Sequence, residues 1–77
     1  MKIRDFISRL AEFDVTAKPR KRGKGSETIL SSDTRLKDGH PLFHTIKNHG
    51  KGTEVYRQVV QAVCRKFGID EDEFYRL

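Results

Sequence analysis

The chain contains no tryptophan, one cysteine, two prolines and no long run of apolar residues. With Cys64 alone there is no intrachain disulfide, so a disulfide-stapled miniprotein is excluded and a reducing, cytoplasmic setting is expected. The opening stretch MKIRDFISRLAEFD intersperses charges among its apolar positions, and reads as neither a signal peptide nor a membrane span. Seventy-seven residues leave room for a single domain, 1–77, too small for a two-domain enzyme. Five phenylalanines and two tyrosines set the chain apart from a wholly disordered segment.

What the sequence does have is positive charge, unevenly spread. The net charge is +5; residues 1–17 are neutral, residues 18–69 hold twelve basic against four acidic side chains, and residues 70–77 are net acidic. A basic middle of this kind suggests a surface that attracts polyanions, although a merely lysine-rich solvated surface has the same composition.

Apolar periodicity gives the elements. Ile3, Phe6, Ile7, Leu10 and Phe13 make one stripe at helical spacing, which predicts a helix over 2–13. Residues 14–18 read as a short strand closed by Pro19, and KPRKRGKG as a basic loop. A β-favouring run covers 26–32, turn residues cover 33–39, and PLFHTIK makes a third strand paired with the second as a hairpin. After a second loop, NHGKG, a helix is expected from Thr53 and Glu54, with Tyr56, Val59, Val60, Val63 and Phe67 on one face and Gly68 as its left-handed end. Asp70 then caps a last short helix, with Ile69 stapled to Phe74. The expected architecture is α+β, in the order α-β-β-β-α-α, with a three-stranded antiparallel sheet and the helices packed on one face.

Few residues suggest chemistry. His40 and His44 on a strand lie about 13 Å apart, too far to share one ion, so no metal site or cofactor is expected. Gly50-Lys51-Gly52-Thr53 lacks the spacing of a nucleotide-binding phosphate loop. Cys64, among Val60, Val63 and Phe67, reads as a small core residue rather than a nucleophile. Tyr56 reads as packing, with base stacking the minority role. The stronger candidates are the cations Arg20, Lys21, Arg22 and Lys24, each able to neutralise a backbone phosphate.

Several short motifs resemble the HicA family, the small toxins of HicAB toxin–antitoxin pairs. They are His49-Gly50-Lys51-Gly52-Thr53, then Phe67-Gly68-Ile69, then Asp70-Glu71-Asp72-Glu73-Phe74, with Gly25-Ser26 ahead of the second strand. The resemblance spans essentially the whole chain and implies a double-stranded-RNA-binding-domain-like fold, RNA as ligand, an mRNA-cleaving endonuclease (hydrolase) activity and an acidic HicB-like antitoxin partner. His49 matches the family's loop histidine, with two roles open, orienting the turn of residues 50–52 or contacting RNA; Ser26 of the Gly-Ser segment and Lys51, beside an expected helix start that could hold a phosphate, are the further RNA-binding candidates. The sequence departs from the family directly after Gly-Ser, where members carry the histidine required for cleavage and this chain has Glu27. Attack by a 2′-hydroxyl needs a base and an acid. Glu27 as base and His44 on the neighbouring strand as acid are the candidate catalytic pair. The alternatives are a non-catalytic nucleic-acid-binding module of the same fold, or a module whose basic face meets the antitoxin-like partner.

Overall fold

The computed structural model describes residues 1–20, 27–50 and 52–76, and at Arg20 the backbone only. The elements are α1 (Ile3–Ala11), β1 (Thr16–Arg20), β2 (Glu27–Lys37), β3 (His40–Lys47), α2 (Arg57–Phe67) and α3 (Glu71–Tyr75). The strands form one antiparallel sheet in the order β1-β2-β3. The fold is therefore the expected α+β arrangement, with α1 against β1 and α2 against β3.

The core joins both helical stripes to one face of the sheet. Phe6 and Leu10 from α1, Leu30 from β2, Val60, Val63 and Phe67 from α2, and Phe74 from α3 are all fully or almost fully buried. Phe74 meets Phe6 edge-on at a centroid distance of 5.6 Å and lies 6.0 Å from Phe13. Along β2, Thr28, Leu30 and Ser32 are buried while Glu27, Ile29 and Ser31 between them are half-exposed, the alternation expected of a sheet with one covered face.

Both long helices end in the same way. Asp14 follows α1 with φ 63°, and the amide of Val15 returns to the Leu10 carbonyl at 3.1 Å. Gly68 follows α2 with φ 67°, and the amide of Ile69 returns to the Cys64 carbonyl at 2.8 Å. Val15 and Ile69, the residues just beyond each turn, are buried. These are left-handed helix ends sealed by an apolar contact. The first explains why α1 stops at Ala11 rather than continuing to residue 13.

Three further boundaries differ from the sequence reading. Pro19 lies inside β1, opposite Thr28, rather than closing it. An edge strand has only one neighbour and can turn the position without an N–H away from it. The hairpin is longer than expected: β2 runs on to Lys37, and Lys37 pairs with His40 across Asp38 and Gly39 alone. Both turn residues have positive φ, 54° and 81°, as a type I′ turn requires. The extra residues are absorbed by a register shift between Ser32 and Leu36, where Ser32 Oγ accepts from the Arg35 amide at 3.1 Å. Lastly, α2 begins at Arg57 rather than at Thr53. Residues 53–55 instead run antiparallel to the N-terminus: Ile3 N–H donates to the Thr53 carbonyl at 2.9 Å and Val55 N–H to the Met1 carbonyl at 2.7 Å. Buried, β-branched Val55 favours that extended form.

No helix among the described residues is long and apolar enough to cross a membrane.

Candidate functional site

Strand register decides which candidate residues can work together. Glu27 pairs with Lys47 and His44 pairs with Leu30. Leu30 points into the core, and Glu27, three residues before it, points to the other face. Glu27 and His44 therefore sit on opposite faces of the sheet, and the expected base–acid pair does not form. Register had to be known to see this, because a shift of one residue reverses every side chain.

Glu27 lies in register between Arg20 on β1 and Lys47 on β3. Lys18 lies two positions from Arg20 on β1 and is exposed, on the uncovered face with Glu27. Lys21, Arg22, Lys24, Ser26 and Lys51, expected to contact RNA, lie outside the described residues.

His44 has other company. It lines a groove of about 520 Å³ between the free edge of β3 and the start of α2, together with Lys47, His49, Tyr56 and Val59. The groove exists because α2 starts late: the extended 53–55 segment forms one wall, and Tyr56 is left outside the helix that sequence periodicity assigned it to. Its backbone is extended (φ −79°, ψ 159°) and the residue is 68% exposed, not packed as expected.

The loop carrying His49 is fastened from both sides. Asn48 Nδ2 donates to Thr28 Oγ1 at 2.8 Å, satisfying a buried hydroxyl, and Asn48 Oδ1 accepts from the Gly50 amide at 2.9 Å. The His49 amide donates to Thr53 Oγ1 at 2.7 Å, and the Thr53 amide donates to the Gly50 carbonyl at 3.1 Å. Gly50, at φ 110°, allows the turn. The turn is thus held by the Asn48 and Thr53 side chains with backbone groups, and exposed His49 borders the groove.

Electrostatics separate the groove's ionisable groups. Partial burial pushes the His44 pKa below the ordinary histidine value, and the nearby Lys66 ammonium pushes it the same way, so the imidazole is neutral at pH 7. Glu54, also on the groove, is tied to the N-terminal ammonium at 2.6 Å and to Lys2 Nζ at 3.5 Å. The hydrogen bond from that ammonium, with both positive charges, holds the carboxyl below its usual range. Glu54 is thus charged but compensated. Cys64 is buried, and burial pushes its thiol up to about 11, in keeping with a packing role.

His40 pairs with Lys37 at the hairpin turn and stays apart from the groove. Among the described residues no group of three or more His, Cys, Asp or Glu side chains is placed to hold a metal ion.

The chain matches no family model, no curated protein and no solved structure.

Several cations serve the fold instead. Arg35 donates from Nε to the Phe13 carbonyl at 2.9 Å, and from Nη1 to the carbonyls of Phe67 at 2.8 Å and Gly68 at 3.2 Å. Arg9 donates to the carbonyls of Phe74 and Tyr75, each at 3.1 Å. Sequence reasoning missed Lys47, Gln58 and an exposed Tyr56 as groove residues. No periodicity could have signalled them, because the groove comes from an interrupted helix start.

Proposed function

We propose that the protein binds RNA, as a HicA-like member of a toxin–antitoxin pair, with the acidic antitoxin as its protein partner. The observation that carries this reading is the groove at the β3 edge, where two histidines and an exposed tyrosine meet, Lys47 stands at the rim in register with Glu27, and the groove's own carboxylate, Glu54, is neutralised by the N-terminus and Lys2. A cation near an accessible aromatic ring supplies the two elements that polynucleotide binding needs. The basic segment of residues 20–24 supports it through composition alone.

Separation of Glu27 from His44 favours a binding role over cleavage through that pair. A second reading, ribonuclease activity, is favoured by one feature: His44 and His49 line the same groove, and His44 is neutral at pH 7, the form a general base requires.

The binding test is RNA affinity against salt. Affinity should fall steeply as salt rises, with a log–log slope that reports the phosphates neutralised. No binding at low salt would reject the reading and leave the antitoxin-like partner as the target of the basic face. Inducible expression in a bacterium, with total RNA as readout, tests cleavage. Transcript loss in the native protein and Glu27→Ala, but not in His44→Ala, would support the groove histidines. Loss abolished by Glu27→Ala would restore that residue.

A further inference from the structure

Resting on the RNA-binding reading, we propose that the β3–α2 groove takes an unpaired RNA segment, one base stacking on the Tyr56 ring and the adjoining phosphate meeting Lys47.

Four observations converge on an unpaired strand rather than a duplex. First, Tyr56 is 68% exposed and belongs to none of the ring contacts among the described residues, which join Phe6, Phe13, Phe74 and Tyr75. Its position is fixed by the backbone: the Val59 and Val60 amides donate to its carbonyl at 2.9 and 3.1 Å, so the ring is presented from an ordered helix start. Second, the wall beside the ring is apolar, formed by Val59 and Ala62 of α2 and by buried Ile46 of β3. A base face can enter such a wall, whereas a phosphate ladder cannot. Third, Lys47, the last residue of β3, borders the groove from the strand edge; by register it shares the uncovered face with Glu27, so its charge stands at the rim, within reach of the backbone of a strand whose base is in the cleft. Fourth, about 520 Å³ is a ligand-sized cleft. Bases in a duplex are stacked on each other with their faces covered. Only a splayed base offers a free π-face to a tyrosine.

A polypeptide strand adding to the free edge of β3 is the competing occupant. It would use backbone groups and would not need the Tyr56 ring. The net charge of +5 and the compensated Glu54 favour the polyanion.

The protein supplies its own probe. It has no tryptophan and two tyrosines, so Tyr75→Phe leaves Tyr56 as its single main emitter while keeping the ring that packs edge-on against Phe74. Titration of Tyr75→Phe with an unstructured RNA oligonucleotide should quench that emission, and a blunt duplex of the same sequence should not. In the native background, Tyr56→Ala should weaken single-strand binding about 5- to 150-fold, and Tyr56→Trp should restore it. Duplex affinity should be the same in all forms. RNA bound with unchanged Tyr56 emission and full affinity in Tyr56→Ala would overturn the groove site and leave RNA binding standing. Equal quenching by duplex would overturn the preference for unpaired strands. Absence of binding by any form at low salt would remove the site together with the reading beneath it.

Discussion

Arg35 illustrates how a single side chain can serve two helices. Its guanidinium takes carbonyls that α1 and α2 leave unpaired at their C-terminal ends, and it sits at the register shift that brings it there. A planar fork suits this better than an ammonium, which offers a single point of attachment. Arg35→Ala is expected to lower stability by about 2 kcal/mol and Arg35→Lys by roughly half of that, read from urea midpoints at constant slope. Equal midpoints for Lys and Arg would show that charge, not geometry, matters. His44 makes a second residue-level case. Its folded pKa lies below the value of 6.5 that it takes when unfolded, so below pH 6.5 the unfolded chain binds the proton more readily. Stability supplied by His44 is present above pH 6.5 and is lost as pH falls through the folded pKa. Imidazole NMR titration should give a midpoint below 6.5 for His44, and Lys66→Ala should move it upward. A midpoint at or above 6.5 would contradict the burial of this ring.

At the scale of elements, boundaries are set by a few residues whose chemistry differs from their neighbours. Asp70 Oδ1 accepts from the amides of Asp72 at 2.8 Å and Glu73 at 3.3 Å, so α3 starts on its own side-chain cap. Asp70→Ala should cost about 1 kcal/mol. Gly68→Ala should cost a similar amount for a different reason. The nearest atom to an added Cβ is the Arg35 Nη1 at 3.8 Å, so no clash arises, and the penalty comes from φ 67° alone. Thermal unfolding of the two variants and their combination checks both assignments. A neutral Gly68→Ala would mean that the end of α2 can relax to a right-handed form. These local signals were legible in advance: the cap at Asp70, the glycine at 68 and the apolar stripes all lie within a few residues of the feature they determine. The tight hairpin turn was also written locally, in Asp38-Gly39. It was hidden by the polar residues 33–37, which resemble loop but pair as strand beyond the register shift.

For the whole molecule, stability depends on a small aromatic centre. Phe74 is fully buried and touches rings from Phe6, Phe13 and Tyr75, joining the last helix to the first. A chain of this length has total stability of only about 4–12 kcal/mol. Phe74→Ala should remove about 3–5 kcal/mol, most of the total at the lower end of that range, and lower the unfolding midpoint by more than about ten degrees. Circular dichroism with heating is the measurement, and a midpoint within a few degrees of native would refute the central place given to this ring. The charge of the chain is also a whole-molecule property that divides on folding. Arg9 and Arg35 face carbonyls inside the fold, while Lys47 stands at the rim of the groove, in register with Glu27.

The sequence by itself determined the order of elements, the core stripes, the left-handed end at Gly68, the cap at Asp70 and the positive charge, because each is encoded by residues close together in the chain. Tertiary structure alone decided what shares a site. Strand register set Glu27 and His44 on opposite faces, and pairing of the N-terminus with residues 53–55 delayed α2 and opened the groove that unites His44, His49 and Tyr56. The second is a contact between segments far apart in sequence, and the first turns on the register shift between Ser32 and Leu36, which the two-residue turn does not announce; periodicity within one segment carries no information about either.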